Sequence, residues 1–485
     1  MGNKNHYGNE SIETIDSQRE QVRQKPTIYF GTNDVEGCAH GVFEIVTNSL
    51  DEIREGHGDL IKVIVEEDGT ITVIDNARGV PMGLNKAKNT YTWDLVYNHL
   101  YASAKYDVSV YGASAGINGV GAAITQFTSI FMTVISCRKE IVGNDSKGNP
   151  IIKGKRYTKH FENGFPKGDL QVEDYDGPTG TIVKYKPDDK VFLDTNISIE
   201  IFLDRFRRMA MLVPKATIIL DYKGKEISLK YDDGSAGYID EICRTKKIIG
   251  DVIKLKGSCT GKDDEYNEEE EEYTASTSIS FTFNRDVRFN EVYHNGTYLQ
   301  EGGVSYEGFR YGVTKIIEET ARKTGKIARN GRIYTADVDE ILVAIVETEC
   351  PGNRSYFKGQ YKTAIGNPLL KRLVTDVTMT EFRKWAAINK DEMDKIVTAV
   401  LLNREAREKA ATVKKKVIDK LKKDINSMGG KPKKFMQCAS KDVNKTELYI
   451  TEGDSAKGAV ALARDAEYQA IIPLRGKILN CLKES

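Results

Sequence analysis

The chain has 485 residues, of which 40% are hydrophobic and 29% are charged, a composition typical of a globular protein with roughly two to four domains. Its 71 basic and 71 acidic residues give a formal net charge of +0, so any nucleic-acid surface must be a local patch. The seven cysteines form no CxxC pair, and no apolar run has the length of a signal-peptide core or a membrane span. We therefore expect a reduced, cytoplasmic protein with no membrane partner.

The chain begins with a polar arm of about twelve residues, which we expect to become ordered only against a partner. Residues 12–24 predict a surface helix. The apolar stretch at 42–53, VFEIVTNSLDEI, predicts a second helix in which Glu44 and Asn48 stand four residues apart on one face. An amide oxygen is a ligand for Mg²⁺, and a carboxylate can orient and deprotonate a water. The alternative is an amphipathic helix whose polar face meets solvent.

Two alternating β-branched stretches, at 60–65 and 70–74, predict a strand pair, and the second runs into Asp75. The end of a strand suits a single carboxylate that reads a ligand. Further on, YGASAGINGVG at 111–121 precedes the helix-compatible AAITQF. Such a glycine-rich loop ending at a helix is typical of phosphate binding, although a plain mobile loop is the alternative. No strong strand lies immediately before this loop, which disfavours a Rossmann dinucleotide site.

The stretch at 130–185 predicts antiparallel strands, with Thr181 at the start of the last one. A helix at 199–213 and a strand pair at 216–231 complete a first domain at 1–232. We expect an open mixed sheet with helices over one face.

A second domain is predicted at 233–400, with strands at 277–284, 288–294 and 341–349 and a helix at 306–323. Its acidic segment at 263–272 predicts a solvated loop. A loop at 353–362 carries Gln360 and Lys362 near its tip, and a lysine there ordinarily serves solubility.

Residues 383–425 are basic helix formers that either contact DNA phosphates or face solvent. We expect a basic helical linker at 401–445 and a partial domain at 446–485, which begins with a strand and a turn. Glu452 and Asp454 flank Gly453 after that strand, a position suited to a Mg²⁺ carboxylate cluster.

Separated segments together match one known pattern in the right order. The chain resembles the B subunits of bacterial type IIA DNA topoisomerases, gyrase and topoisomerase IV, from about Tyr7 to its last residue. The matching segments are FEIVTNSLDE, IDNARGVP, SAGINGVG, GTIVKYKP, QEGGVSYEGF, FKGQYK, YITEGDSAKG and IIPLRGKILN. Hsp90 chaperones, MutL proteins and histidine kinases would match only the N-terminal motifs. The resemblance implies an α+β fold: a GHKL (Bergerat) ATPase sandwich, a ribosomal-S5-like transducer domain and the start of a TOPRIM domain.

The resemblance also implies residue roles in binding ATP and Mg²⁺. Glu44 would be the general base, supported by His40, and Asn48 would bind Mg²⁺. Asp75 would accept a hydrogen bond from the adenine amino group, with Thr181 beside it through a water. Further nucleotide contacts would come from Tyr7, Arg78, Gly79, Pro81, Lys105, Tyr111, Gly116, Ile117, Asn118, Gly119, Val120 and Gly121. Lys362, with Gln360 beside it, would reach the γ-phosphate from the second domain, and Glu452 would be a metal ligand of the TOPRIM domain.

Several positions depart from the family pattern. Ala77 replaces the first glycine of D-x-G-x-G, Ala115 and Asn118 alter the glycine-rich lid, Tyr361 stands where threonine is usual, and Lys457 replaces a small residue. We therefore expect a divergent member, for which a phage, a plasmid or another mobile element is a candidate source. The family's TOPRIM domain continues to an Asp-x-Asp pair. We expect that remainder either in a longer version of this chain or in a second polypeptide.

The function implied by the resemblance is that of an ATP-driven clamp. Two copies would dimerise through the ATPase domain on binding ATP, enclose double-stranded DNA and work with an A-type subunit that carries the cleavage tyrosine. The alternative is an ATP-switched DNA clamp without cleavage activity, such as a mobile-element or defence protein. Whether the reaction is supercoiling or decatenation stays open.

Overall fold

The computed structural model describes residues 15–103, 119–244, 246, 248–358, 363–428 and 434–474. The chain divides into two compact units, Met1–Asn403 and Arg404–Ser485. Within the described ranges, no helix is both long enough and apolar enough to cross a lipid bilayer.

The first unit contains an eight-stranded mixed sheet with the order β10-β9-β1-β2-β8-β5-β6-β7. Only the β1–β9 pair is parallel among these neighbours. The strands of this sheet are β1 (Leu60–Val65), β2 (Ile71–Asp75), β5 (Ser129–Asn144), β6 (Pro150–Glu162), β7 (Phe165–Asp174), β8 (Gly180–Pro187), β9 (Thr217–Tyr222) and β10 (Lys225–Leu229). A separate small hairpin joins β3 (Leu84–Asn85) to β4 (Thr90–Tyr91).

Seven described helices contribute to the apolar core of this sheet. They are α1 (Gln18–Gln24), α2 (Pro26–Phe30), α3 (Val35–Arg54), α4 (Thr92–Asn98), α5 (Gly121–Phe127), α6 (Ile199–Leu212) and α7 (Ser235–Cys243). The central helix is α3, which Asp34 caps by accepting hydrogen bonds from the Glu36 and Gly37 amides at 2.9 and 3.4 Å. Most of its apolar residues are buried, Val42 and Val46 completely. The N-terminal cap and the buried apolar face thus both hold α3 in place.

A second sheet in the same unit has the order β11-β12-β16-β13-β14, in which β13 and β16 are parallel. Its strands are β11 (Ile248–Gly261), β12 (Tyr273–Asn284), β13 (Phe289–His294), β14 (Thr297–Tyr298) and β16 (Leu342–Glu349). A three-stranded sheet consists of β15 (Gly302–Gly303), β17 (Phe357–Lys358) and β18 (Ala364–Ile365). The helices α8 (Val304–Lys323), α9 (Thr335–Asp339) and α10 (Pro368–Ile388) accompany these sheets, and a second apolar core lies among them.

The long helix α11 (Lys390–Met428) begins in the first unit. The second unit contains a parallel pair, β19 (Glu447–Glu452) and β20 (Gln469–Leu474), joined through α12 (Gly453–Ala463). The predicted boundaries at 232, 400 and 445 stay predictions.

Several predicted elements are wrong in detail. The basic stretch is not one helix from 383, because α10 already begins at Pro368 and a break at Asn389 separates it from α11. The stretch after β19 is a helix and not a turn. The sequence at 93–101 also predicts a helix, which in the structure is α4 and ends at Asn98. The elements α2, α7 and β11 were not predicted. These elements depend on long-range pairing and packing, which local patterns do not report.

The acidic segment at 263–272 is also not simply a solvated loop, because its first residue makes hydrogen bonds to the rest of the unit. Asp263 accepts them from the Tyr273 hydroxyl at 2.9 Å, the Asn367 amide at 2.7 Å and the Leu369 backbone N–H at 2.9 Å. Asp263 thus satisfies a backbone donor in the first turn of α10.

Candidate functional site

The polar face of α3 carries three of the predicted site residues. His40 Nε2 and Glu44 Oε1 are 3.2 Å apart, and the two side chains are 40% and 29% exposed. Asn48 follows one turn later and is half-buried. A carboxylate and an amide therefore stand on one face of a helix that is otherwise buried, as their spacing predicted.

The start of α5 lies directly against the Glu44 carboxylate. A methyl group at Gly121 would stand 2.0 Å from Glu44 Oε2 and 2.9 Å from its carboxyl carbon. Gly119, just before α5, has a φ of +62°, and its carbonyl accepts a hydrogen bond from the Ala102 N–H at 3.1 Å. The described end of the glycine-rich loop thus places backbone and no side chain beside Glu44.

Asp75 ends β2 as a buried carboxylate with three hydrogen-bond donors. Its Oδ2 accepts from the Ser49 hydroxyl at 2.8 Å, and its Oδ1 accepts from the backbone N–H groups of Ala77 and Thr181, each at 3.0 Å. Burial raises the pKa of Asp75, whereas these three hydrogen bonds act in the opposite direction. An ionised carboxylate held in this way can only accept further hydrogen bonds, as a site for an amino group requires.

The turn after β2 is fixed by the neighbouring strands. The Val80 N–H donates to Thr181 Oγ1 at 3.2 Å, and Ser136 Oγ donates to the Val80 carbonyl at 2.7 Å. Gly79 has a φ of +80°, and a methyl group there would stand 2.5 Å from the Cys137 carbonyl oxygen. Only glycine fits this position without displacing backbone.

The departure at Ala77 is compatible with this turn. Ala77 is not among the described non-glycine residues with positive φ, and its side chain is buried. Its amide still donates to Asp75. The missing glycine therefore does not remove the carboxylate's hydrogen bonds.

Arg78 connects this turn to α3. Its Nε and Nη2 donate to Glu52 Oε2 and Oε1 at 2.7 and 2.9 Å, a bidentate pair. Arg138 Nη1 donates to the Gly79 carbonyl at 2.9 Å, and Pro81 is exposed. The turn is thus joined both to the helix and to strand β5.

The described site residues in the first unit lie on α3 and on segments that contact it, the turn after β2 and the start of α5, with Thr181 bonded to that turn. These are His40, Glu44, Asn48, Asp75, Arg78, Gly79, Pro81, Gly119, Val120, Gly121 and Thr181. The predictions missed Ser49, Glu52, Ser136 and Arg138. Ser49 and Glu52 lie in the predicted helix, so its polar residues held the signal, whereas Ser136 and Arg138 are placed only by strand pairing.

Glu452 lies apart in sequence, at the end of β19 in the second unit, and is exposed. Asp454 forms an ion pair with Lys434. Among the described residues, no group of three or more His, Cys, Asp or Glu is arranged to hold a metal ion. The metal role of Glu452 stays a prediction.

The other predicted site residues lie outside the described residues. They are Tyr7, Lys105, Tyr111, Gly116, Ile117, Asn118, Gln360 and Lys362.

Sequence comparison finds relatives along nearly the whole chain. A family model described as DNA gyrase B matches residues 234–416. The B subunit of DNA gyrase from Thermotoga maritima is 31% identical over 482 residues, which cover 99% of this chain and 72% of the relative. The corresponding gyrase protein of Halalkalibacterium halodurans is 32% identical, over 98% of this chain and 71% of its own length. The B subunit of DNA topoisomerase 4 from Staphylococcus epidermidis is 29% identical, over 100% of this chain and 69% of its own length.

Solved structures share the fold. The 43K ATPase domain of Thermus thermophilus gyrase B, solved with an aminocoumarin, has a TM-score of 0.63 at 22% identity and covers 82% of this chain and 97% of its own. The topoisomerase IV ATP-binding domain of Francisella tularensis, solved with a small-molecule inhibitor, has a TM-score of 0.60 at 21% identity. It covers 81% of this chain and 98% of its own. The expected α+β class and GHKL fold are confirmed.

Proposed function

The chain belongs to the DNA gyrase B and topoisomerase IV B family of type II topoisomerase subunits, and we propose that it hydrolyses ATP at the polar face of α3. The observation that carries this proposal is the contact between Glu44 and Gly121, which puts a carboxylate beside the backbone that ends the glycine-rich loop. A carboxylate there can take a proton from a water that attacks the γ-phosphate. As the water oxygen bonds to phosphorus, the bond to the β-phosphate oxygen breaks and ADP leaves.

His40 and Asp75 have separate parts in this proposal. His40, 3.2 Å from Glu44, orients the carboxylate. Asp75 accepts a hydrogen bond from the adenine amino group, because both of its carboxylate oxygens already serve as acceptors, for the Ser49 hydroxyl and for two backbone N–H groups. Thr181 lies beside Asp75, because its backbone N–H donates to that carboxylate.

Asn48 is the residue that would hold Mg²⁺. Its amide oxygen is a hard ligand on the same face as Glu44, and both are accessible in part, so the residues present fit the ion. When bound, the ion supplies neutralisation of triphosphate charge. Lys362 adds positive charge at the γ-phosphate, and Gln360 lies beside it. Lys105, Tyr111 and the loop at 116–121 add further nucleotide contacts, and Tyr7 of the N-terminal arm contacts the nucleotide bound by the partner copy.

The larger function proposed is that of an ATP-driven dimer clamp on double-stranded DNA, acting with an A-type subunit. ATP binding closes the two ATPase domains on each other, and hydrolysis reopens them. Glu452 belongs to a TOPRIM metal site that needs further carboxylates. Family membership and the nucleotide-site geometry support this proposal.

The test compares two acids of the same helix. Glu44→Gln and Glu44→Ala are expected to lower kcat for ATP by about 10²-fold or more, while calorimetry with a non-hydrolysable ATP analogue gives an unchanged Kd. Glu36→Gln, at an exposed position in the first turn of α3, is the matched control and keeps wild-type turnover. Turnover that survives in both Glu44 variants would remove Glu44 as the base.

A further inference from the structure

The C-terminal end of α3 rests on a turn of the second sheet. Arg54 is the last residue of α3, and its side chain is 16% exposed. Its Nη1 lies 3.5 Å from the Asn295 carbonyl oxygen, and a methyl group at Gly296 would stand 2.4 Å from both Nη1 and Nη2. The guanidinium therefore lies directly on the backbone of this turn.

The turn itself is a tight two-residue hairpin between β13 and β14. Asn295 and Gly296 have φ values of +47° and +75°, and His294 pairs with Thr297 across the turn. An Asn-Gly pair with both φ angles positive is the preferred connection for such a hairpin. Asn295 is fully buried, so the turn is a rigid contact for Arg54.

The Asn295 side chain holds the segment that leads towards Gln360 and Lys362. Its Nδ2 donates to the Cys350 carbonyl at 2.9 Å, and its Oδ1 accepts from the Cys350 N–H at 3.0 Å. Nδ2 also lies 3.3 Å from Ser355 Oγ, which is 2.9 Å from the His294 ring. The start of this segment is thus fixed to the turn on which Arg54 rests.

Two carboxylates accompany the Arg54 guanidinium. Asp51 Oδ1, on the same helix, is 3.8 Å from Nη1, and Glu347 of β16 is close enough for Arg54 to lower its pKa against the effect of burial. Carboxylates on α3 and on β16 therefore both interact with the Arg54 guanidinium.

We propose that Arg54 and Asn295 are positioning residues for ATP hydrolysis, which set the segment beginning at Cys350 against the helix that carries Glu44 and Asn48. This inference rests on the function proposed above, in which Lys362 reaches the γ-phosphate. Arg54 ends the helix that carries Glu44 and Asn48. Its guanidinium contacts the Asn295 turn, so its loss would change where the segment beginning at Cys350 lies relative to that helix and would leave the adenine contact at Asp75 in place. A displacement of about 1 Å at a reacting group is enough to lower a rate by about 10²-fold.

The experiment measures kcat and the Kd of a non-hydrolysable ATP analogue in a double-mutant cycle. Arg54→Leu is expected to lower kcat about tenfold and to leave Kd within about twofold. Gly296→Asn, which tolerates the positive φ but pushes against the guanidinium, is expected to do the same. In a Lys362→Ala background, Arg54→Leu has no further effect.

The matched control is Arg208→Leu. Arg208 of α6 also crosses to β13, where its Nε is 2.7 Å from Glu291 Oε1, but no described hydrogen bond links it to the Asn295 turn. It is expected to lower the melting temperature and to leave kcat within about twofold.

The outcomes distinguish failure of the positioning role from failure of the proposed role of Lys362. Three results would overturn the positioning role while the proposed function stands. They are a kcat of Arg54→Leu within twofold of wild type, an equal loss of kcat in Arg208→Leu, and losses of kcat from Arg54→Leu and Lys362→Ala that add in the double variant. A Lys362→Ala variant with wild-type turnover overturns both the lysine's proposed role and this inference.

Discussion

Gly121→Ala tests the contact between the loop backbone and Glu44 with a single methyl group. That methyl would stand 2.0 Å from Glu44 Oε2 and 3.0 Å from its Cβ. Since a non-bonded contact needs about 3.4 Å or more, the carboxylate must move by more than about 1 Å. The backbone itself tolerates the change, because Gly121 is the first residue of the helix α5.

The expected magnitude follows from that displacement. Moving the base by about 1 Å is expected to lower kcat by about 10²-fold, equivalent to about 2.7 kcal/mol in the barrier. The free energy of unfolding should change by less than about 1 kcal/mol, because the helix preference of alanine offsets the cost of the 3.0 Å contact with Glu44 Cβ and the carboxylate can move. Steady-state ATP turnover and thermal unfolding measure the two effects separately.

Gly41→Ala is the matched control in the same helix pair. A methyl group there would make ordinary contacts of 3.5 Å with Thr125 and 3.7 Å with Phe30. It should leave turnover unchanged and raise stability by up to about 1 kcal/mol. Wild-type turnover in Gly121→Ala would refute the view that the position of Glu44 sets the rate.

Three further substitutions have defined outcomes. Asp75→Asn should lower ATP affinity by about 10²-fold in calorimetry, because an amide N–H₂ would then meet the adenine amino group. Glu347→Gln concerns a carboxyl whose pKa burial raises to about 7 from 4.5. The stabilising contribution of its proton is complete below pH 4.5 and is lost as the pH rises through 7. In denaturant titrations the variant should gain up to about 3 kcal/mol of unfolding free energy at pH 8 and nothing at pH 4. A difference between variant and wild type that does not change with pH would contradict this. Asp263→Ala should lose about 2–4 kcal/mol of unfolding free energy, whereas its exposed neighbour Asp264→Ala should lose less than about 0.5 kcal/mol; equal losses would show that the Asp263 hydrogen bonds contribute little.

The local part of the site was predictable from sequence. Glu44 and Asn48 are one helical turn apart, and helix geometry alone puts them on one face. Asp75 follows an alternating strand, so its place at the strand end was also predictable. These positions depend on neighbours in the chain.

The rest of the site depends on contacts between distant segments. The Thr181 N–H reaches Asp75 across 106 positions, because β2 and β8 are paired. No local pattern around Thr181 reports that register. The same holds for Asp263, whose acidic neighbours predicted a solvated loop although its partners Tyr273 and Asn367 lie on other elements.

The most direct test of the nucleotide site is a crystal structure with Mg²⁺ and a non-hydrolysable ATP analogue. The account predicts the Asn48 amide oxygen at about 2.1 Å from the ion, and a carboxylate oxygen of Asp75 within about 3.2 Å of the adenine amino nitrogen. A nucleotide bound elsewhere on the chain, or an Asn48 side chain turned away from the ion, would contradict it.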